Sequence, residues 1–413
     1  MMKYFRHVIS ASLSPNTELD DITAAITAFF SPWRWQHGSD LKAIKQWFTS
    51  HFPTKHVTLY NSGRSALYAI LRSFGIGKGD EVIVQAFTCV AVPNSVLWAG
   101  ATPVYADVDE TYNIDPADVE KHITKRTKAI VVQHNLGIPA NLDAILTFTK
   151  KYNLLLIEDC AHALGALYNG KRVGSFGDAA FFSFGRDKAL SSVWGGAAII
   201  HKNCRVSDAA EKIHTFHSRL PMPRASWIAQ QLFHPLAFAF IIPWYNWGVG
   251  KLLLVFLQRM NMLSFPVYPE EKLAGRPKGF PAQYPNALAK LLRVQLRKLD
   301  RYVGQRRSIA QLYAKKFSRL PHNLQYMPES GYLRYPVWME IPEQFRLKAK
   351  KQGILLGNWY HNVIDPVGVN FDKVGYVLGS CPRAEEAAKH LLNLPTRITA
   401  RESSQILVLF RTI

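Results

Sequence analysis

Short apolar runs alternate with helical patterns between residues 57 and 201, and this alternation constrains the fold more than any other feature of the chain. The runs cover residues 57–60, 81–86, 102–107, 129–134, 153–159, 179–184 and 196–201. Most of them are apolar without a period of two, as expected for strands that are covered on both faces. Helical spacing lies between them, for example over residues 65–74 and 142–152. The alternation predicts an α/β fold with a mostly parallel central sheet sandwiched by helices.

The length of 413 residues leaves room for a second, smaller domain beside this sheet. Residues 287–320 are helical in pattern and strongly basic, which fits one long helix that leads into a C-terminal α+β domain. We therefore predict an N-terminal segment with a large domain over residues 1–205, a separate stretch over 206–283, and a small C-terminal domain over 284–413.

The formal net charge of +20 would suit nucleic acid, an anionic membrane surface or phosphorylated substrates. No zinc-finger spacing and no aromatic-basic motif of the single-strand-binding type occur, so we expect no nucleic-acid partner. The cysteines are far apart, and we predict neither a metal site nor a disulfide framework. The first residues do not form a signal-peptide pattern, so the expected location is the cytoplasm.

Three reactive side chains follow the ends of predicted strands. Asp159 closes one apolar run, Ser183 lies near the end of another, and Lys188 follows five residues after Ser183. Pyridoxal phosphate needs an acid partner for its ring nitrogen, a ligand for its phosphate and a lysine that forms a Schiff base. A lone lysine is nearly always a solvated charge, but here it occurs in one consistent order with the acid, the hydroxyl and the glycine pair Gly195-Gly196. The pattern favours a pyridoxal phosphate enzyme.

The turn Tyr60-Asn-Ser-Gly-Arg-Ser-Ala-Leu67 follows a predicted strand and opens a predicted helix. The backbone N–H groups at such a helix start form a site for an anion. An ordinary turn with a helix cap explains the same residues equally well.

Two motifs carry a resemblance to a known family. Ile157-Glu-Asp-Cys-Ala-His162 and Phe182-Ser-Phe-Gly-Arg-Asp-Lys188, with Gly195-Gly196 behind them, resemble the DegT/DnrJ/StrS family of sugar aminotransferases, which are fold type I pyridoxal phosphate enzymes. The resemblance covers nearly the whole chain. It implies that Lys188 and Asp159 are catalytic. It implies a cofactor-binding set of Gly63, Arg64, Ser65, Cys89, Asp159, His162, Ser183 and Lys188.

The chain departs from the family pattern at three of its site positions. Arg64 replaces the usual Thr, and its guanidinium could make charge-assisted contacts to the cofactor phosphate. Cys89 stands where the family commonly has an aromatic residue that stacks on the cofactor, so stacking must either come from elsewhere, for example from His162, or be weaker. Trp194 replaces a Glu before the glycine pair. These changes leave the cofactor chemistry plausible and put the usual nucleotide-sugar specificity in doubt.

The resemblance implies an aminotransferase that moves an amino group from glutamate or glutamine to a keto sugar, expected to be nucleotide-linked, in cell-surface polysaccharide or glycan biosynthesis. It also implies a homodimer, with the basic region 287–320 a candidate to contribute across the interface. Two alternatives stay open at this point. One is a pyridoxal phosphate enzyme of another reaction type, and the other is a membrane-docked binding protein on the same fold without turnover.

One stretch does not fit the family pattern. No Asp or Glu occurs between Lys212 and Pro269, and residues 227–263 are rich in Leu, Phe, Ile and Trp. Pro235 and Pro243 interrupt this stretch, so no run of about 20 apolar residues is available to span a bilayer.

We expect the stretch to lie in the interface of an anionic membrane, on the inner face of the cytoplasmic membrane. The aromatic residues at headgroup level would be Trp227, Trp244, Tyr245 and Trp247, with Lys251 and Arg259 facing anionic lipid. A dimer-interface or lid element explains the same composition.

Overall fold

The computed structural model describes residues 8–320 and 322–410. Its strands are β1 (Ile9–Ser10), β2 (Thr54–Tyr60), β3 (Glu81–Gln85), β4 (Thr88–Cys89), β5 (Thr102–Ala106), β6 (Thr127–Gln133), β7 (Leu155–Asp159), β8 (Leu167–Tyr168), β9 (Lys171–Arg172), β10 (Ala179–Ser183), β11 (Gly196–His201), β12 (Arg334–Trp338), β13 (Ile354–Leu355), β14 (Ile364–Asp365) and β15 (Leu391–Pro395).

The α-helices alternate with these strands in the first half of the chain and outnumber them around the C-terminal part. They are α1 (Leu19–Phe29), α2 (Ser39–His51), α3 (Gly63–Ser73), α4 (Ala91–Ala99), α5 (Pro116–Lys121), α6 (Leu142–Lys151), α7 (Ala209–Ser218), α8 (Ala225–Ile241), α9 (Val249–Arg259), α10 (Asn286–Leu296), α11 (Leu299–Phe317), α12 (Pro342–Lys350), α13 (Phe371–Val374), α14 (Pro382–His390) and α15 (Ala400–Val408).

The central sheet has seven strands in the order β2-β11-β10-β7-β6-β3-β5. Each of the seven predicted apolar runs forms one of these strands. Strands β10, β7, β6, β3 and β5 pair in parallel, whereas β11 is antiparallel to both of its neighbours. Every residue of β3 and of β11 is buried, because helices cover both faces of the sheet. The predicted fold, fold type I with a mostly parallel sheet, is confirmed.

The single long helix predicted over residues 287–320 is wrong, because α10 and α11 are separate helices. Lys298 lies between them, and its Nζ is 2.6 Å from a carboxylate oxygen of Asp20 and 2.7 Å from one of Asp21. An ammonium group that is only 7% exposed requires such partners. At the break, Lys298 pairs with the start of α1. The apolar pattern of residues 287–320 does not reveal this contact.

The C-terminal part of the chain packs a two-stranded antiparallel sheet, β12 and β15, with helices α11 and α15. Its apolar core is continuous with that of the central sheet, since one cluster of buried side chains includes Leu71 and Val84 together with Tyr335 and Leu392. The division at residues 205 and 283 remains a prediction about how the chain is organised.

The apolar stretch forms helices α8 and α9 and the loop that follows them. Helix α8 continues through Pro235 and packs against α1 and α10. Between α8 and α9 lies a small separate apolar cluster that includes Phe238, Ile241 and Leu257. Within the described ranges, no helix has both the length and the hydropathy needed to cross a membrane.

Candidate functional site

A cavity of about 390 Å³ opens at the carboxyl ends of β7 and β10, beside the start of α3. Ligands of open α/β sheets bind at this edge, because helix starts and loop residues converge there. Seven of the eight predicted cofactor-binding residues line the cavity: Gly63, Arg64, Cys89, Asp159, His162, Ser183 and Lys188. The structure therefore brings together residues that are more than a hundred positions apart in the chain.

The start of α3 comes unusually close to the end of β10. A Cβ atom placed on Gly63 would lie 2.8 Å from the Cβ of Ser183, so a side chain here would push the helix start and the strand end apart. Ser62 caps the helix, and its side-chain oxygen accepts from the N–H of Ser65 at 3.2 Å. Backbone N–H groups of the first turn and the Ser183 hydroxyl thus share one small region, which is suited to an anion.

Two of the predicted phosphate ligands have other partners. The Ser65 hydroxyl is 2.8 Å from Asn61 Oδ1 and 2.8 Å from Ser62 Oγ, so this side chain holds the turn together and does not line the cavity. The Arg64 guanidinium forms an ion pair with the fully buried Glu271 and donates to the carbonyl oxygen of Pro266 at 2.7 Å. A direct contact of either side chain with a phosphate remains a prediction.

Asp159 ends β7 and is 3% exposed. One of its oxygens accepts from the N–H of Ala161 at 2.9 Å. Burial raises the pKa of Asp159 to about 6, and the hydrogen bond from Ala161 and the nearby positive charge of Lys188 oppose this rise. A cationic partner in the cavity would stabilise the charged form of this buried carboxyl group.

Lys188 and His162 are hydrogen-bonded to each other at the centre of the site. The Lys188 Nζ is 2.9 Å from His162 Nε2, and His162 Nδ1 accepts from the N–H of Leu136 at 3.2 Å. Burial lowers the pKa of both side chains. Because Nδ1 accepts, we assign the proton of neutral His162 to Nε2, which then donates to Lys188. This arrangement favours Lys188 as an uncharged amine, the form that can act as a nucleophile or base.

The sequence analysis did not identify the aromatic wall of the cavity. Trp359 stacks on His162 with ring centres 4.8 Å apart, and Tyr360 lies next to it in the lining. The Arg334 guanidinium lies 3.5 Å from the centre of the Trp359 ring. Its three nitrogens are buried without a hydrogen-bond partner among the described residues. The sequence analysis took no site residue from this segment, and only the fold shows that the aromatic side chains of Trp359 and Tyr360 reach this cavity.

The loop after α9 forms part of the opposite wall, through Phe265, Pro266 and Val267. The residue before them, Ser264, is 4% exposed and bonds to three side chains. Its hydroxyl accepts from Arg186 Nη2 at 2.7 Å and from Trp194 Nε1 at 2.9 Å, and donates to Gln231 Oε1 at 2.8 Å. A single buried hydroxyl thus connects α8 to the loop that carries Lys188.

Trp227 does not take the place that the sequence analysis expected for it. Its ring centre lies 6.3 Å from that of Trp194, and the side chain packs against the apolar cluster below the site. The prediction that Trp227 faces a membrane is therefore wrong, because the start of α8 packs onto the domain and only the later part of the stretch is exposed.

The residues present fit pyridoxal phosphate on chemical grounds. A helix start with a hydroxyl suits a phosphate, a buried carboxyl group suits a protonated ring nitrogen, and an uncharged lysine suits an aldehyde. The stacked rings of Trp359 and His162 supply flat surfaces in this site. Cys89 stands where the family commonly has an aromatic residue. Burial raises the pKa of the Cys89 thiol, so this position does not offer a thiolate.

Comparisons with known proteins agree with this chemistry. The model of the DegT/DnrJ/EryC1/StrS aminotransferase family matches residues 16–226 and 258–409. A pleiotropic regulatory protein of Geobacillus stearothermophilus is 31% identical over 89% of this chain and 87% of its own length. The dTDP-3-amino-3,4,6-trideoxy-alpha-D-glucose transaminase of Streptomyces venezuelae is 28% identical over 90% of this chain and 86% of that protein. The crystal structure of S. venezuelae DesV superposes with a TM-score of 0.71 at 27% identity, covering 95% of this chain and 94% of that one.

The family model covers the cavity residues on both sides of a gap, and the gap itself, residues 227–257, contains most of α8 and α9. The chain therefore belongs to the DegT/DnrJ/EryC1/StrS aminotransferase family, and it is an aminotransferase that uses pyridoxal phosphate.

Proposed function

We propose that the protein transfers an amino group from glutamate or glutamine to a keto sugar, carried on a nucleotide, in the synthesis of a cell-surface polysaccharide or glycan. The observation that carries the proposal is the buried pair of Lys188 and His162 in the same cavity as Asp159. The similarity to a dTDP-amino-sugar transaminase supports a sugar as the acceptor.

Lys188 would hold the cofactor through its amine, and Asp159 would bind the ring nitrogen. When bound, pyridoxal phosphate accepts the electrons released as the Cα–H bond of the donor breaks. Asp159 would keep the ring nitrogen protonated, because its carboxylate is stabilised by a cation in a buried site. The first turn of α3 and the Ser183 hydroxyl would bind the phosphate and fix the orientation of the ring.

Lys188 would also act as the base. With cofactor and donor bound, the Lys188 Nζ would take the proton from the donor Cα and would release it again within the site. His162 positions Nζ for this step, since the 2.9 Å hydrogen bond from Nε2 directs the amine lone pair and favours the uncharged form. In the second half of the cycle Lys188 would move a proton in the reverse direction, onto the carbon of the keto sugar that receives the amino group.

The test is amino transfer from ¹⁵N-labelled glutamate and from amide-labelled glutamine to a panel of keto-sugar nucleotides, with mass-spectrometric detection of the aminated sugar. Label in any sugar product supports the proposal and identifies the acceptor. If the protein converts amino acids to keto acids with its cofactor but aminates none of the sugars, the acceptor proposal is wrong and an aminotransferase of another substrate class takes its place.

We further propose that the protein works as a homodimer and makes peripheral contact with an anionic membrane. The family resemblance supports the first, and the apolar stretch without acidic residues supports the second. Light scattering of the purified protein measures the dimer directly. A monomer that retains full activity would contradict it.

A further inference from the structure

The exposed side of α9 is apolar although it faces solvent. Val249, Leu252, Phe256 and Met260 follow one another at intervals of three and four residues and are 57%, 74%, 56% and 59% exposed. Residues at these intervals lie on one side of a helix. On the other side, Gly250 and Leu257 are buried against α8. The helix is thus apolar on both sides, and only one side is covered by the protein.

Aromatic and basic side chains surround this exposed side. Trp244 and Trp247 precede α9, are 52% and 49% exposed, and have ring centres 6.2 Å apart. Lys251 and Arg259 are exposed at the two ends of the helix. We call the exposed side chains of Val249, Leu252, Phe256 and Met260, together with Trp244 and Trp247, the α9 face. Indole rings beside an apolar helix side, flanked by cations, are the composition of interfacial helices that lie on anionic lipid.

Charge argues for lipid rather than a second copy of the chain as the occupant of the α9 face. Residues 213–269 contain four Lys and Arg and no Asp or Glu. A two-fold dimer through this face would bring the same patch from both copies together. The cations of one copy would then meet those of the other with no acidic residue of the stretch to pair them, which is unfavourable. An anionic headgroup layer supplies the missing negative charge and an apolar layer beneath it.

The chain that leaves the α9 face leads directly into the lining of the active cavity. After Met260 the chain passes through the exposed Met262 to Phe265, which is 39% exposed and lines the cavity together with Pro266 and Val267. The Ser264 hydroxyl fixes this loop to Arg186, so the loop cannot turn away without breaking buried hydrogen bonds. A surface that seats the α9 face therefore lies beside the entrance to the site.

We infer that the α9 face docks on anionic lipid and thereby places the mouth of the aminotransferase site at the membrane surface, where the acceptor sugar is encountered. This inference rests on the proposed amino transfer for the nature of the acceptor, and it narrows the proposed membrane contact to one face of the protein. The face lies largely within residues 227–257, which the family model leaves out, so it adds a property to the shared catalytic core.

Co-sedimentation of the cofactor-loaded protein with phosphatidylcholine vesicles, with and without phosphatidylglycerol, tests the docking. We expect binding to the phosphatidylglycerol vesicles, weakened about tenfold or more by Leu252→Ser with Phe256→Ser and partly by added salt. The matched control, Leu19→Ser with Phe30→Ser, removes side chains that are 82% and 72% exposed on or next to α1. It should bind as the parent does.

The position of the mouth is tested with two single variants in the same assay. Phe265→Ser should weaken vesicle binding several-fold, whereas Val377→Ser, at a site 71% exposed in the C-terminal part, should not. Loss of binding in both variants, or in neither, would overturn the placement of the mouth. Failure of the parent to bind, or equal binding by the Leu252 and Phe256 double variant, would overturn the docking.

Two further readouts separate the alternatives. Light scattering of the Leu252 and Phe256 double variant should match the parent, and a dimer that becomes a monomer would assign the α9 face to a second copy instead. The spectral change of the bound cofactor on addition of glutamate or of glutamine should be the same in this variant and the parent. If that change is absent from both while vesicle binding follows the expected pattern, the proposed function fails and the docking stands.

Discussion

The cofactor cavity buries polar side chains, whereas the α9 face exposes apolar side chains to solvent. The cavity takes polar and titratable groups out of water and pairs several of them within the protein, as in the bond between Lys188 and His162. The Arg334 nitrogens are buried there without a hydrogen-bond partner among the described residues. The α9 face leaves apolar side chains such as Leu252 in water, 74% exposed, with no partner in the described part of the chain. The first region finds many of its stabilising contacts within the chain itself. The second acquires its stabilising contacts only from another surface.

The two regions therefore serve function through different physical properties. Burial lowers the pKa of Lys188 and His162, which favours the uncharged amine that cofactor chemistry needs. Burial also raises the pKa of Asp159, so its carboxylate costs folding stability until a cation pairs with it. Exposure of apolar area has no comparable effect on chemistry inside the chain, and it promotes association. Variants in the two regions should therefore change different measured quantities.

The largest expected effect is in the cavity, at Lys188. Lys188→Ala should lower turnover on the order of 10³-fold or more, because the base and the covalent attachment of the cofactor are lost together. The fold and cofactor binding should persist. Borohydride reduction of the loaded parent followed by peptide mapping should label Lys188, and a label on a different lysine would contradict the assignment.

A matched pair of leucines compares the two regions in stability. Leu71→Ala, in the fully buried core below the cavity, should cost about 2–5 kcal/mol of unfolding free energy. Leu252→Ala, on the α9 face, should change it by about 0.5 kcal/mol or less. Chemical denaturation of both variants in the absence of lipid measures the difference. A large loss for Leu252→Ala would show that the face is packed in solution.

Asp159→Asn tests the electrostatic cost of the cavity. Burial raises the folded-state pKa from the ordinary 3.8 to about 6, so the folded protein without cofactor binds this proton more tightly than the unfolded chain does. The contribution of this carboxyl to stability therefore falls as pH rises from about 4 to 6, by about 3 kcal/mol.

The Asn variant without cofactor should be more stable than the parent at pH 8 and equal to it below pH 4, as measured by thermal unfolding. Its turnover should nevertheless be about 10²-fold lower with cofactor added, because an amide cannot hold the ring nitrogen protonated. Turnover within a few-fold of the parent would make Asp159 a structural residue.

The smallest expected effect on catalysis lies where the two regions meet. Ser264→Ala leaves the buried donors of Arg186 and Trp194 without their acceptor, and should cost about 1–3 kcal/mol of stability. We also expect a rise in the KM for the acceptor, since Phe265 and Pro266 lose their anchor, with vesicle binding retained. Ser264→Thr, which keeps the hydroxyl, is the control and should restore part of both losses.

The sequence predicted the part of the site that depends on local order. Asp159, Ser183 and Lys188 follow strand ends that are neighbours in a parallel sheet, so their convergence follows from strand order and spacing. Trp359 and Glu271 could not be found in this way. Trp359 lines the cavity from a position 171 residues beyond Lys188, and Glu271 pairs with the cavity residue Arg64 from a position 83 residues beyond Lys188. No local sequence pattern shows where such a segment packs.

Two further differences have the same origin. The break between α10 and α11 depends on Lys298 meeting Asp20 and Asp21, which are nearly 280 residues away. The inward packing of Trp227 depends on Trp194. In both cases the sequence pattern correctly predicted helical or apolar residues. Contact with a residue far away in the chain then determined how the segment packs.

The Ser264 hydroxyl has a consequence for how this chain could be shortened. Because it joins Gln231 of α8 to Arg186 and Trp194, the extra helices are not a detachable module that a relative could lose without adjustment. Replacing residues 227–257 with a flexible linker would remove Gln231 and leave the remaining bonds to Arg186 and Trp194 on an unsupported loop. A chain without the helices would need a compensating change at position 186, 194 or 264 in the same step, and relatives that lack them are expected to differ at these positions together.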